Sequence, residues 1–553
     1  MQGLDPLTCE ERTVVFGRVA ADSPSGTAEL TVTMSHSTEG DCGPVATATS
    51  IISTSIGVDE MLNLRFANVT DSDEIDPGGY LALNDDDDNN NQLPDKDEPG
   101  PVAGEDDLQP LLLVLSPLAD PAIVVRLDGV AGGTPIRLYR MADKTDLVSL
   151  PLIAPAGEFP SVLYVEGVAV SQAVRDIELV GRYFGDEDDC DDRLRMTVVE
   201  LELESVTINS DHGLLRDNNL NYEPIGTLFG EPEWRFVAPL RDYPVSHTMD
   251  LPVTLSWEIR VTPGGVSDLP CRLLSTGPQG FNVDETALLD GGLQAVMVTS
   301  TDVLEKRIWI LSPIMEWRIV HDGRTFHRRA SGPHTMYVTV GTPRDTALPQ
   351  HVVTMARMER AVIHAGAPQS LNPHEIVEWV IGSQGNFQLL NPRDNAWDVP
   401  EFGGDCQSIV RFAGKVAKMV NIAGTFAHKN IYAIEDLTQT PVFDPAVAIE
   451  GDPPAGLNNP VRFHPTQSQW SLSLVDFGSG CNAFEAVAKF TACGQTMYYP
   501  GGVPWTLLDN KDDVLKVFQS LSWIEWVNGV CTVRQNETLY PAIPPNPTIQ
   551  PCP

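Results

Sequence analysis

Cys406 is the residue whose type and position could most directly do chemistry, because it opens the segment "CQSIVRFAGKVAKMV" just after two glycines. Ile409, Phe412 and Val416 recur at three- and four-residue steps, which predicts an amphipathic helix. Asp405 is a suitable N-cap, so Cys406 falls in the first turn, where free N–H groups and the helix dipole stabilise a thiolate. The pattern suits a nucleophile, and a buried cysteine at a helix start would give it equally.

The segments around this cysteine resemble those of the transglutaminase-like proteins, which have a papain-like fold. "GGDCQSIVRFAGKVAKMVNIAG" is similar to the family's cysteine helix, and "CNAFEAVAKF" and "TMYYPGG" are similar to the strands of its histidine and aspartate. The resemblance covers roughly residues 350–510. It implies that the cysteine attacks a glutamine carboxamide or a peptide carbonyl, with the histidine as base and the aspartate orienting it.

Both expected partners of Cys406 are replaced in this sequence. The strand motifs put Asn482 where the histidine belongs and Tyr499 where the aspartate belongs. An asparagine cannot take up a proton near neutral pH, so a general base is missing there. The two histidines downstream are His428 in "TFAHKN" and His464 in "RFHPTQ", and both are predicted to be surface or loop residues. They are the candidate bases if Cys406 is active.

Residues 83–107 form an acidic stretch, "LNDDDDNNNQLPDKDEPGPVAGEDD", without aromatic residues. Carboxylate and amide oxygens at this density could bind Ca²⁺. One register matches positions 1, 3, 5, 9 and 12 of an EF-hand-type loop, although the loop's glycine is replaced and no helical pattern flanks it. A solvated acidic linker is the alternative. The five candidate ligands are Asp87, Asn89, Asn91, Asp95 and Glu98.

The fold class indicated is a multidomain chain with serial β-sandwich domains followed by a C-terminal α+β, transglutaminase-like domain. Short alternating runs separated by Gly, Pro and Asp predict strands up to residue 345. The predicted β-sandwich domains are residues 1–82, 108–205 and 206–345, and residues 346–553 form the last domain. Its helices are predicted near 352–362, from Asn372 and Pro373 onwards, through Cys406, and within 510–527.

The nine cysteines have neither CxxC spacing nor a zinc-type arrangement with histidine. Eight can be grouped into pairs that are near in sequence, which leaves Cys406 single, as expected for a secreted protein with one working thiol. A reduced cytosolic chain with nine scattered thiols is the alternative. The predicted pairs are Cys9–Cys42, Cys190–Cys271, Cys481–Cys493 and Cys531–Cys552.

The formal charge of −40, from 76 acidic and 36 basic side chains, repels nucleic acid and anionic membranes. No apolar run reaches the roughly 18 residues of a membrane-spanning helix. The first residues have no leader pattern. We therefore expect a secreted or cell-surface protein with protein partners or self-assembly, no organic cofactor and no indicated small-molecule substrate. An extracellular structural or adhesive role with a degenerate terminal domain is favoured over an active thiol enzyme, namely a transglutaminase, protein deamidase or cysteine peptidase.

Overall fold

The computed structural model divides the chain into two compact units, which are residues 1–83 with 108–198, and residues 84–107 with 199–553. It describes these residues: 26–34, 48–56, 63–69, 75, 79–84, 108–116, 124–129, 136–184, 190–209, 213–217, 232–348, 351–384, 393–432, 442–444, 464–466, 469–471, 484–501, 507–514, 522–527, 530–535 and 547–552.

The described part of the first unit is built from strands alone, because its sequence alternates apolar and polar residues between turn-forming residues. β1 pairs with β2, and a four-stranded antiparallel sheet has the order β3-β5-β9-β7. The strands are β1 Gly26–Met34, β2 Ala48–Ile56, β3 Asn63–Asn68, β4 Leu81–Asn84, β5 Leu108–Ser116, β6 Val124–Gly129, β7 Ile136–Tyr139, β8 Leu152–Pro155, β9 Val162–Gly167, β10 Ile177–Phe184 and β11 Cys190–Ile208.

The core of the first unit lies between this sheet and a second one that contains β6, β8, β10 and the first part of β11. Leu64 and Phe66 of β3 lie in one buried cluster with Leu127 of β6 and Leu179 of β10. Strand β3 comes from the predicted 1–82 segment, and its partner β5 comes from the predicted 108–205 segment.

The second unit begins with β-structure as well. Its strands form an antiparallel extension of β11 through β15 and β18, a sheet of order β17-β16-β20-β21, and a small mixed sheet of order β14-β22-β19. These strands are β12 Glu233–Arg235, β13 Arg241–Asp242, β14 Val245–Thr248, β15 Pro252–Thr262, β16 Leu269–Thr276, β17 Val283–Leu289, β18 Gly292–Val303, β19 Trp309–Leu311, β20 Met315–His321, β21 Arg324–Ser331 and β22 Met336–Thr339.

Two tryptophans show how these sheets face each other. Trp257 of β15 and Trp317 of β20 are fully buried, and their rings meet edge to face with centroids 5.2 Å apart. Because the two strands belong to different sheets, the contact lies in the layer between them, as in a β-sandwich. Among the described residues every α-helix follows residue 350, which confirms the prediction of an all-β first part.

The described helices of the second unit include α1 Met355–Gly366, α2 Pro373–Gly382, α3 Val399–Phe402 and α4 Cys406–Met419, with a 3₁₀ turn at Ala396–Asp398, and residues 511–514 are helical as well. The predicted cap is present at α2, where the Asn372 side chain accepts a hydrogen bond from His374 N–H and Pro373 is the first helical residue. None of the described helices combines the length and apolarity needed to cross a membrane.

An antiparallel sheet of order β24-β23-β27-β28 follows the helices. Its strands are β23 Thr425–Tyr432, β24 Val442–Asp444, β27 Phe484–Ala492 and β28 Gln495–Pro500. Two further hairpins pair β25 His464–Thr466 with β26 Gln469–Ser471, and β29 Ser522–Val527 with β30 Val530–Gln535. The end of the helix predicted within 510–527 is therefore wrong, because the β-branched and aromatic residues of "SWIEWV" form a strand.

One buried cluster joins α1, α2 and α4 to β27 and β28. The same cluster includes Leu214, Ile308 and Tyr337 from the preceding β-structure. Val340 N–H also donates to Val420 O at 3.1 Å, just after α4. Helix α4 is therefore clamped between the sheet that follows it and the β-structure that precedes it.

Candidate functional site

The start of α4 is fixed by hydrogen bonds around Asp405. Its carboxylate accepts from Ser408 N–H at 2.9 Å and from Ser408 Oγ–H at 2.8 Å, and Ser408 Oγ accepts from Arg393 N–H at 2.8 Å. Gly403 just before it has a φ of 73°, a value that glycine adopts without steric cost. The cap places Cys406 as the first residue of the helix, where the sequence predicted it.

The Cys406 thiol lies against the sheet. Its residue is 8% exposed, and Sγ accepts a hydrogen bond from Ala486 N–H of β27 at 3.4 Å. Just after β28, a Cβ at Gly501 would stand 2.3 Å from Cys406 O, so only glycine permits this approach. The thiol therefore lies at the N-terminus of α4 and against the backbone of β27.

The residues of β23 next to this contact are polar and buried. The register pairs Asn430 with Ala486 and His428 with Ala488, and directly opposed residues of antiparallel strands point to the same face of the sheet. His428 Nε2 donates to Asn430 Oδ1 at 2.9 Å, and both residues are fully buried. The expectation of a loop or surface position for His428 is wrong, because "TFAHKNIY" forms a strand whose alternate residues face α4.

The register also shows which part of α4 each of these β23 residues lies nearest. Phe426 lies on the same face, and its ring is 2.9 Å from the position of a Cβ at Gly414, in the second half of the helix. Asn430 lies opposite the residue that contacts the thiol, and His428 is about 7 Å further along the strand. The alternation of Phe426, His428 and Asn430 is the sequence signal that could have indicated this polar pair.

Tyr499, predicted to occupy the aspartate position, is engaged with α2. His374 Nε2 lies 3.1 Å from Ala492 O, and since a carbonyl only accepts, this nitrogen carries the hydrogen. His374 Nδ1 lies 3.0 Å from Tyr499 Oη, and the same hydroxyl donates to His374 O at 3.2 Å. Burial lowers the pKa of His374 and raises the pKa of Tyr499 well above its usual range. Tyr499 therefore joins α2 to β28 as a neutral hydroxyl group.

The remaining predicted site residues are not brought to Cys406 by the described contacts. His464 is the first residue of β25, which pairs with β26. No three His, Cys, Asp or Glu side chains lie close enough to hold a metal ion in the part of the chain that the structure describes. Asn482 lies outside that part, as do Asp87, Asn89, Asn91, Asp95 and Glu98.

The cysteines are arranged differently from the predicted pairs. Cys493 forms a disulfide with Cys552, with a Cα–Cα distance of 5.3 Å, so the pairing of Cys493 with Cys481 and of Cys552 with Cys531 is wrong. Cys271 is a thiol on β16, and burial raises its pKa to about 12, so the predicted pair with Cys190 is wrong too. Cys406 also retains its thiol, as predicted. The predicted pair Cys9–Cys42 lies outside the described residues.

Comparison with known proteins gives no family assignment. No protein-family model matches the sequence, and no curated protein matches it. The crystal structure of bovine butyrophilin is similar over 49% of this chain and 98% of its own, at 8% identity and a TM-score of 0.18. A structure of titin A168169 is similar over 47% of this chain and 94% of its own, at 8% identity and a TM-score of 0.15. Likeness at these TM-scores does not establish a shared fold.

Proposed function

We propose that this chain is an extracellular structural or adhesive protein with a degenerate transglutaminase-like domain within residues 346–553. The order of capped cysteine helix and following antiparallel sheet supports this proposal, since it is the order that a papain-like core requires. The disulfide between Cys493 and Cys552 supports a secreted or cell-surface location, because such bonds persist in oxidising compartments. Protein partners or self-assembly fit the acidic surface charge better than nucleic acid does.

The observation that carries the degenerate assignment is the chemistry of three residues where the thiol meets the sheet. Ala486 and Gly501 contact Cys406, and Asn430 lies opposite Ala486. None of these three side chains exchanges a proton near neutral pH. Tyr499, at the position expected for the orienting aspartate, bonds to His374 on α2. An amine leaving group would therefore find no proton donor among these residues.

The alternative function is an active transglutaminase, deamidase or cysteine peptidase that uses Cys406. One contact favours it: the His428 ring donates to the amide oxygen of Asn430 on a strand that lies against α4. A histidine oriented by an asparagine is the pairing of a Cys-His-Asn site. His428 would have to reach Cys406 past Asn430, so the register favours the degenerate assignment.

Alkylation of the native full-length chain tests whether the start of α4 activates the thiol, and turnover assays then separate the two functions. We expect iodoacetamide to label Cys406 at least about tenfold faster than Cys271, because the helix terminus favours a thiolate whereas burial holds the Cys271 thiol protonated. Peptide mapping by mass spectrometry after timed quenching measures both rates. Cys271 is the matched control, since it is a buried thiol in the same unit.

Without alkylation, the full-length chain should show glutaminase, transamidase and peptidase rates at background. The rates of Cys406→Ala should be the same. Turnover that disappears in Cys406→Ala would establish the enzyme instead. If that turnover were lost in His428→Ala and kept in His464→Ala, His428 would be the base. Labelling of Cys271 as fast as Cys406 would refute the activated setting of the helix start.

Calcium binding by the acidic stretch is the second part of the proposal. Five oxygen-bearing side chains at EF-hand-type spacing could bind Ca²⁺, with Glu98 as the bidentate ligand. We expect EDTA to lower the melting temperature of the chain and added Ca²⁺, but not Mg²⁺, to restore it. Glu98→Gln should abolish the response, whereas Glu105→Gln in the same stretch should leave it intact. An unchanged melting curve on chelation would contradict the assignment.

A further inference from the structure

A second constellation lies in the β-structure of the second unit, away from Cys406. Ser331 Oγ is 2.9 Å from His334 Nε2, and His334 Nδ1 is 2.8 Å from Asp242 Oδ1. Trp317 Nε1–H donates to Ser331 Oγ at 2.7 Å. These contacts form one continuous chain of hydrogen bonds among four residues from three sequence segments.

The chemistry of the end groups sets the direction of this chain. An indole nitrogen only donates and an ionised carboxylate only accepts. The Nδ1–H of His334 therefore donates to Asp242, which leaves Nε2 as an acceptor for the Ser331 hydroxyl hydrogen. Burial lowers the pKa of His334, so its ring is neutral at pH 7 and able to take a proton. This is the arrangement of a serine activated by an oriented base.

The imidazole is held rigidly in this arrangement. The Trp234 ring stacks on His334 at a centroid distance of 3.9 Å and an interplanar angle of 8°. Trp234 of β12 is also the register partner of Asp242 of β13, so one strand pair supplies both the stacking surface and the carboxylate. His334 N–H donates to Pro313 O at 2.9 Å. The ring therefore keeps its orientation without a substrate.

Ser331 lies at the exposed edge of this constellation. Ser331 ends β21 and is partly exposed, and the next two residues, Gly332 and Pro333, are exposed. The Asp242 side chain is 55% exposed, whereas His334 is 4% exposed. The exposed Gly332–Pro333 turn is therefore the side from which a carbonyl compound would have to approach Ser331, while His334 stays buried.

We propose that Ser331 is the nucleophile of a second site that cleaves activated carboxylic esters, with His334 as general base and Asp242 as a positioning residue. Ser331 Oγ forms a bond to the ester carbonyl carbon while its proton passes to His334 Nε2. The bond to the leaving oxygen then breaks, and the departing alkoxide takes that proton. Water attacks the acyl-serine by the same proton transfers and releases the acid, which restores the hydroxyl.

The test uses the full chain with a tagged fluorophosphonate and with p-nitrophenyl acetate. We expect the fluorophosphonate on Ser331 by peptide mapping, with both reactions lost in Ser331→Ala and reduced about 100-fold in His334→Gln. Asp242→Asn should reduce both rates about tenfold, and Asp242→Glu should recover part of the loss, which a merely structural role would not do. Both reactions are measured in the Cys406→Ala background, so that p-nitrophenyl acetate cannot acylate that thiol, and Cys406→Ala alone should leave the labelling of Ser331 unchanged.

Thermal unfolding of each variant accompanies the rates. If Ser331→Ala fails to fold, the exposed Asp242 variants still decide the question, because their carboxylate covers no core. No label on Ser331 in the folded chain, or equal rates in the wild type and Asp242→Asn, would overturn the proposal.

Discussion

Trp397→Ala is expected to lower the free energy of unfolding of the second unit by about 3–5 kcal/mol. Trp397 is fully buried, and its ring meets Phe412 of α4 edge to face with centroids 5.8 Å apart. Its backbone oxygen also accepts from Arg360 of α1 at 3.0 Å. Removing the indole opens a cavity between the 3₁₀ turn and α4, which the clamped helix cannot close by moving.

Urea unfolding followed by circular dichroism measures this loss. The matched control is Trp379→Ala on α2, where the side chain is 47% exposed and the change should stay within about 0.5 kcal/mol. Since Phe412 and Cys406 share α4, Trp397→Ala should also increase the alkylation rate of Cys406. Equal midpoints for the two tryptophan variants would show that the core around α4 is not packed as described.

Loss of the disulfide between Cys493 and Cys552 is expected to destabilise the chain by about 4 kcal/mol. The bond closes a segment of 59 residues, and the entropy that it removes from the unfolded chain grows with the logarithm of this length. The double variant Cys493→Ser/Cys552→Ser, unfolded without reductant, should show the loss. An unfolding midpoint equal to that of the wild type would contradict the pairing.

The disulfide also stabilises the native state, because it holds residues 547–552 against the α+β part of the second unit. Asn372 Nδ2 donates to Gln550 O at 2.9 Å, Gln495 Nε2 donates to Thr548 O at 3.1 Å, and Ile549 packs against the buried cluster of the helices. Hydrogen exchange at residues 547–552 should therefore accelerate in the double variant. Cys271→Ala is the control for a lost cysteine, since it removes a thiol that forms no disulfide.

The amino-acid sequence by itself determined the elements whose signals are local. Alternating residues and turn-forming residues predicted the β-rich first part, and the caps at Asn372 and Asp405 predicted the starts of α2 and α4. Such signals depend on residues within a few positions of each other, so they can be read without knowing the distant contacts. They were enough to place Cys406 at a helix N-terminus.

The tertiary structure alone decided which distant groups meet. His428 was expected in a loop, but strand pairing places it in a buried position beside Asn430. Packing of α2 on β28 brings Tyr499 to His374, which is 125 residues away in sequence. The partner of Cys493 likewise lies 59 residues downstream rather than at the nearest cysteine. Strand register and side-chain packing decide these contacts, and both depend on many weak interactions between residues that are far apart in sequence. A short stretch of sequence therefore does not predict them.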